Sequence, residues 1–145
     1  MRLSSSKFFL AVVATAFSIV TSFAWKPVHA QERPHIARAQ IDSMFSAMRA
    51  NAPWNVDGPL LWGYYFSAPT SEKLDQIASE LESKGYRVVG ITMPQGKPRL
   101  QVEKVETHTP ASLDARNQEF YTLAGRNGIS YNGMDVGPVQ VQEVK

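Results

Sequence analysis

The chain has 145 residues, 15 basic and 13 acidic side chains, and no cysteine. That excludes disulfides, thiolate metal centres and thiol nucleophiles. The small basic excess is concentrated at the N-terminus, where Arg2 and Lys7 precede an apolar run, Phe8 to Ala24.

That run is followed by WKPVHA, ending in the small-residue pattern Val28-x-Ala30. A positive start, an apolar centre and a small-residue end form the layout of a secretory signal peptide. The run is at the short limit for a membrane span of roughly 17–25 residues. The expectation is therefore cleavage near Ala30/Gln31, residues 1–30 being the signal and 31–145 one domain. The mature chain would be periplasmic or secreted, touching the membrane only through the signal during export. Arg2, Lys7 and Lys26 leave with the signal, so 15 basic residues become 12 against 13 acidic. A surface without basic excess gains little from a phosphate backbone, and no nucleic acid is expected as a partner.

Gln31 to Pro34 reads as a short leader. Ile41, Met44, Phe45 and Met48 repeat at helical spacing and predict a first helix over about Ile36 to Ala50. Asp57-Gly58 is a turn before an aromatic-rich strand, Leu60 to Phe66. Thr70 or Ser71 opens a second helix to Lys84, with Leu74, Ile77, Ala78 and Leu81 inward and Gly85 as its stop. Tyr86 to Met93 is β-branched and reads as a second strand. Leu100 to Thr107 follows as a third, after a loop holding Pro94, Gly96 and Pro98. Thr109 and Pro110 set an N-cap and first position for a third helix to about Arg126. Val136 to Val141 reads as a last strand. The fold class is thus α+β. It is a ferredoxin-like β-α-β-β-α-β antiparallel sheet with helices on one face and an extra N-terminal helix.

In the aromatic strand, Trp62, Tyr64 and Phe66 alternate with Leu61, Gly63 and Tyr65, giving two rows on opposite faces. An aromatic row on such a sheet suggests base stacking, as in RNA-recognition motifs. The third strand, LQVEKVETH, lacks the basic and aromatic signature that should accompany it. A protein-binding surface fits the aromatics better, with Trp54, Asp57, Trp62 and Tyr64 as the partner-binding candidates. Among acids, Glu106 and His108 share a pleat while Glu103 lies on the other. An acid beside an imidazole could serve a small enzyme as acid and base. No nucleophile or second metal ligand accompanies it, so no catalytic residue, metal or cofactor is expected. On the third helix, Asn117 falls among core residues and must find partners. The expected partners are backbone groups of a Gly133 to Pro138 loop that includes Gly137, with an Arg116–Asp135 ion pair across the same junction.

The segments WNVDGPLLWGYYF from Trp54, KLDQIASELESKGYRVVGI from Lys73 and LQVEKVETHTPASLDARNQEFYTLA from Leu100 follow one another along the chain. With GMDVGP from Gly133, they resemble the RraB family, named for a protein regulator of ribonuclease E. The resemblance spans Met44 to Val139 and implies a ferredoxin-like domain without enzymatic activity that acts by binding a protein. In its best-studied members that protein is ribonuclease E. The family's regulators are cytoplasmic and often carry an acidic extension, which this chain lacks. An export signal would place ribonuclease E out of reach. The expected partner is then another protein, for which a periplasmic immunity protein against a toxin is one form. A cytoplasmic ribonuclease E inhibitor is the alternative if the signal is not used.

Overall fold

The computed structural model describes residues 35–140. The expected signal, its cleavage point and the Gln31–Pro34 leader lie outside the described residues. The elements are α1 (Arg38–Asn51), β1 (Leu60–Ser67), α2 (Ser71–Ser83), β2 (Arg87–Thr92), β3 (Arg99–Glu106), α3 (Pro110–Asn127) and β4 (Ser130–Gly137). A short 3₁₀ turn, Pro94–Gly96, joins β2 to β3. The sheet order is β2-β3-β1-β4 and every pairing is antiparallel. This is the ferredoxin-like α+β arrangement, with β1 and β3 central.

Each helix is bounded by local chemistry. The Ala37 N–H donates to the Gln40 side chain at 2.8 Å, which starts α1 two residues later than its apolar spacing predicts. Thr109 caps α3: its hydroxyl accepts from the Ser112 N–H at 3.1 Å, and the Ser112 hydroxyl accepts in return from the Thr109 N–H at 2.9 Å. Gly85 and Gly128 end α2 and α3 with positive φ, a conformation that suits residues without a Cβ. No described helix is long and apolar enough to cross a membrane.

The core forms under the helices. Ile41 and Phe45 of α1, Leu74, Ile77 and Leu81 of α2, and Leu113 and Phe120 of α3 are buried against Trp62, Tyr64 and Phe66 of β1. Phe120 is the hub, its ring 4.8 Å from Tyr64, 5.2 Å from Phe66 and 5.3 Å from Tyr131. Such edge-to-face pairs contribute roughly 0.5–1.5 kcal/mol each beyond the burial of their area. The extra helix joins the same layer, since Phe45 stacks on Trp62 at 6.1 Å.

The last strand departs from expectation. It runs from Ser130 to Gly137, ahead of the expected Val136–Val141, so most of the supposed glycine loop is strand. Asn and Gly are poor strand formers, which makes SYNGMDVG look like a loop. Its pairing with β1 prevails because Tyr131 drops into the core, and a register irregularity beside Tyr65 and Phe66 absorbs the extra residue.

Candidate functional site

The densest polar chemistry sits where β3 runs into α3. Glu106 is the last residue of β3, and its side chain is only 10% exposed. Its Oε1 accepts from Arg116 Nη1 at 2.7 Å. Its Oε2 accepts from the Tyr64 hydroxyl at 2.8 Å and lies 3.0 Å from His108 Nε2. With a proton on Nε2, His108 can accept at Nδ1 from the Ser112 hydroxyl, 2.9 Å away. Arg116 also donates to the Tyr86 hydroxyl, and the His108 ring meets Trp62 edge-on at 5.2 Å. The predicted sharing of a face by Glu106 and His108 is therefore real, and Glu103 does point to the opposite face, where Arg87 pairs with it.

Electrostatics explains what this cluster can do. Burial works to raise the Glu106 pKa. Hydrogen bonds from His108 and Tyr64, with Lys104 nearby, outweigh it and hold the carboxyl below its ordinary value. Burial, and then the Glu106 charge, push the Tyr64 hydroxyl well above the usual tyrosine range. A carboxylate with both oxygens engaged is a weak base, and a phenol that resists ionisation is a weak acid. The arrangement ties β1, β3 and α3 to Tyr86, the residue just before β2. No group of three metal-ligating side chains occurs among the described residues.

The expected lock on the C-terminal strand has different members. Arg116 pairs with Glu106 and, at 3.3 Å, with Glu119; it does not reach Asp135. Glu106 is the better partner because it is buried on the same face as Arg116, while Asp135 points away from the helices. Asp135 instead accepts from the Tyr65 hydroxyl at 2.5 Å. Asn117 is fully buried, as its spacing predicts, but its Oδ1 accepts from the Tyr131 hydroxyl at 2.7 Å and not from a backbone loop. Gly133 to Gly137 are strand residues paired with β1, so no free loop backbone is left there for Asn117. Gly137 is the last residue of β4, opposite Leu61.

The four partner-binding candidates divide. Trp54 and Asp57 lie on the connection between α1 and β1. Trp54 is half-buried, and Asp57 is exposed and paired with Arg49 at 2.7 Å. That pairing lowers the Asp57 pKa through the Arg49 hydrogen bond. Trp62 and Tyr64 are fully buried and offer no surface to a partner. The alternation gives two rows, and the larger rings occupy the inner one because a small domain needs them for its core.

Two features escape sequence reading. On the outer face, Tyr65 joins Asp135, and Arg99 lies over its ring at 5.0 Å. Burial first, then the Asp135 hydrogen bond, push the Tyr65 pKa up to about 12. The alternation does place Tyr65 outside, but nothing local pairs it with a residue seventy positions away. The second feature is a groove of 580 Å³ between α2 and α3, floored by Leu81, Tyr86 and Phe120 and edged by Lys84 and Arg126. Both basic residues are tied to Glu80.

The model of the family described as regulator of ribonuclease activity B matches residues 38–136, from the first residue of α1 nearly to the end of β4. The chain belongs to the RraB family. It is accordingly a regulator-type domain, whose role is exerted by binding a protein. Among curated proteins no sequence matches the chain.

Proposed function

We infer that this RraB domain is an exported, non-catalytic regulator that inhibits or controls a protein partner outside the cytoplasm. The family match carries the reading, because it covers every described helix and strand to within one residue. The Glu106 cluster supports a non-catalytic reading, since both carboxylate oxygens are engaged inside the fold. Export rests on the Arg2, Lys7 and Phe8–Ala24 pattern with Ala30 at the small-residue end. The connection bearing Trp54 and Asp57 is the accessible part of the expected contact surface, and tryptophan is favoured at binding hot spots.

Intact mass of the native protein from separated periplasmic and cytoplasmic fractions tests the compartment. A periplasmic species starting at Gln31 is expected and would exclude direct control of a cytoplasmic ribonuclease. A cytoplasmic species retaining Met1 would overturn export and make ribonuclease control the leading reading. Replacing Glu106 and His108 should weaken folding without abolishing a separable catalytic activity.

A further inference from the structure

Sequence spacing leaves Glu106 and His108 without a nucleophile, but the fold brings one to them. Ser112, in the first turn of α3, sets its hydroxyl oxygen 2.9 Å from His108 Nδ1. On the far side of the ring, His108 Nε2 lies 3.0 Å from Glu106 Oε2 and 3.2 Å from the Tyr64 oxygen. Hydroxyl, imidazole and carboxylate thus form one chain, in the order nucleophile, base and orienting acid.

Proton positions along the chain follow from its buried end. Glu106 titrates below its ordinary value and is a carboxylate at neutral pH, and Tyr64 spends its proton on Glu106 Oε2. Both neighbours of Nε2 are therefore acceptors. Nε2 carries the proton of the neutral ring, and Nδ1 presents its lone pair to Ser112. The Ser112 hydroxyl also has the Thr109 carbonyl at 3.2 Å, a longer contact than the one to Nδ1. Its oxygen accepts from the Thr109 N–H at 2.9 Å. That donor, at the positive N-terminal end of α3, stabilises negative charge on the oxygen as the proton leaves. His108 is buried and Ser112 is exposed, so a reagent meets the hydroxyl and not the ring. Glu106 is asked for no proton: its engaged oxygens hold the ring in one tautomer.

We propose that Ser112 is a reactive serine that takes an acyl group from an activated ester, with His108 as its base. The Ser112 Oγ–H bond breaks as its proton passes to His108 Nδ1, and Oγ bonds to the ester carbonyl carbon. The bond from that carbon to the ester's alcohol oxygen then breaks, and the alcohol leaves with the proton from His108. One acyl group per chain is a modification rather than turnover. It does not depend on which protein the domain regulates.

Treating the purified protein with p-nitrophenyl acetate and mapping its peptides by mass tests this. Ser46 and Ser79 are controls within the same sample. Both are exposed helix serines whose hydroxyls donate to the carbonyls of Asp42 and Asp75, not to a base. Ser112 should be acetylated at least about a hundredfold faster than either, the lower end of what a positioned base contributes. His108→Gln should remove that advantage, and circular dichroism melts check that the variant is folded. If it does not fold, the comparison among the three serines of the wild type still decides. Acetylation of Ser112 no faster than that of Ser46 and Ser79 overturns the proposal. So does an unaltered rate at Ser112 in folded His108→Gln.

Discussion

Two neighbouring tyrosines on β1 make the same kind of bond in opposite surroundings. Tyr64 points under the helices and donates to Glu106; Tyr65 points out and donates to Asp135. Inside, the carboxylate has lost water and gains Arg116 and His108 as further partners. Outside, Asp135 keeps solvent, and Arg99 attends the ring rather than the carboxylate. The strand's two-residue period makes this division, and burial decides what each bond is worth. A buried polar group left unpaired costs far more than an exposed one, because water can replace the partner only at the surface.

The largest break in this comparison should come from Glu106→Ala. It leaves Arg116 half-buried without its nearest carboxylate and strands the hydroxyl of Tyr64. Removing one partner of such a pair costs about 3–5 kcal/mol, to be read from urea unfolding. The same substitution should alter the acid limb. The folded Glu106 carboxyl titrates below its ordinary value. Its stabilisation is thus present above the unfolded pKa of about 4.3 and is lost as pH falls through the folded value. Stability of the variant should therefore fall less steeply below that pH. An unchanged acid slope would show that other carboxylates govern acid unfolding.

Tyr64→Phe should come next. It removes one donor to Glu106 and keeps the ring against Phe120, so a loss of about 1.5–3 kcal/mol is expected for a bond to a charged group. Tyr65→Phe should cost less than about 1 kcal/mol, since Asp135 regains water. Equal losses in paired unfolding curves would refute burial as the deciding difference.

Asn117→Leu tests a lock that was half legible in the sequence. Helical spacing from Leu113 through Phe120 placed Asn117 inside, and so demanded a partner. It could not name Tyr131, because NGMDVG reads as a loop by local preference and the strand exists through its pairing with β1. Order and type of the elements from α1 to α3 follow from period and capping signals alone. Ion-pair identity did not, since Arg116 had acids available on both faces and only the helix packing chose Glu106. Losing Asn117 leaves the buried Tyr131 hydroxyl without its acceptor, at a cost of about 1–3 kcal/mol. An unchanged melting temperature would remove the lock from the account.

The smallest effect belongs to Gly63, and it isolates the outer bond. A Cβ there would overlap Asp135 Oδ1 and leave the backbone unstrained, because the φ of Gly63 is not in the left-handed region. The obstacle is the end of an exposed side chain, which can swing away. Gly63→Ala should therefore displace the Asp135 carboxylate, release the Tyr65 hydroxyl and cost no more than about 1 kcal/mol. Its effect should vanish in a Tyr65→Phe background, where that bond is already gone. A double-mutant cycle in urea reads this directly. Full additivity would mean that Gly63 is required by the packing of β1 and not by the Tyr65–Asp135 pair; the outer face would then owe its order to the strand alone.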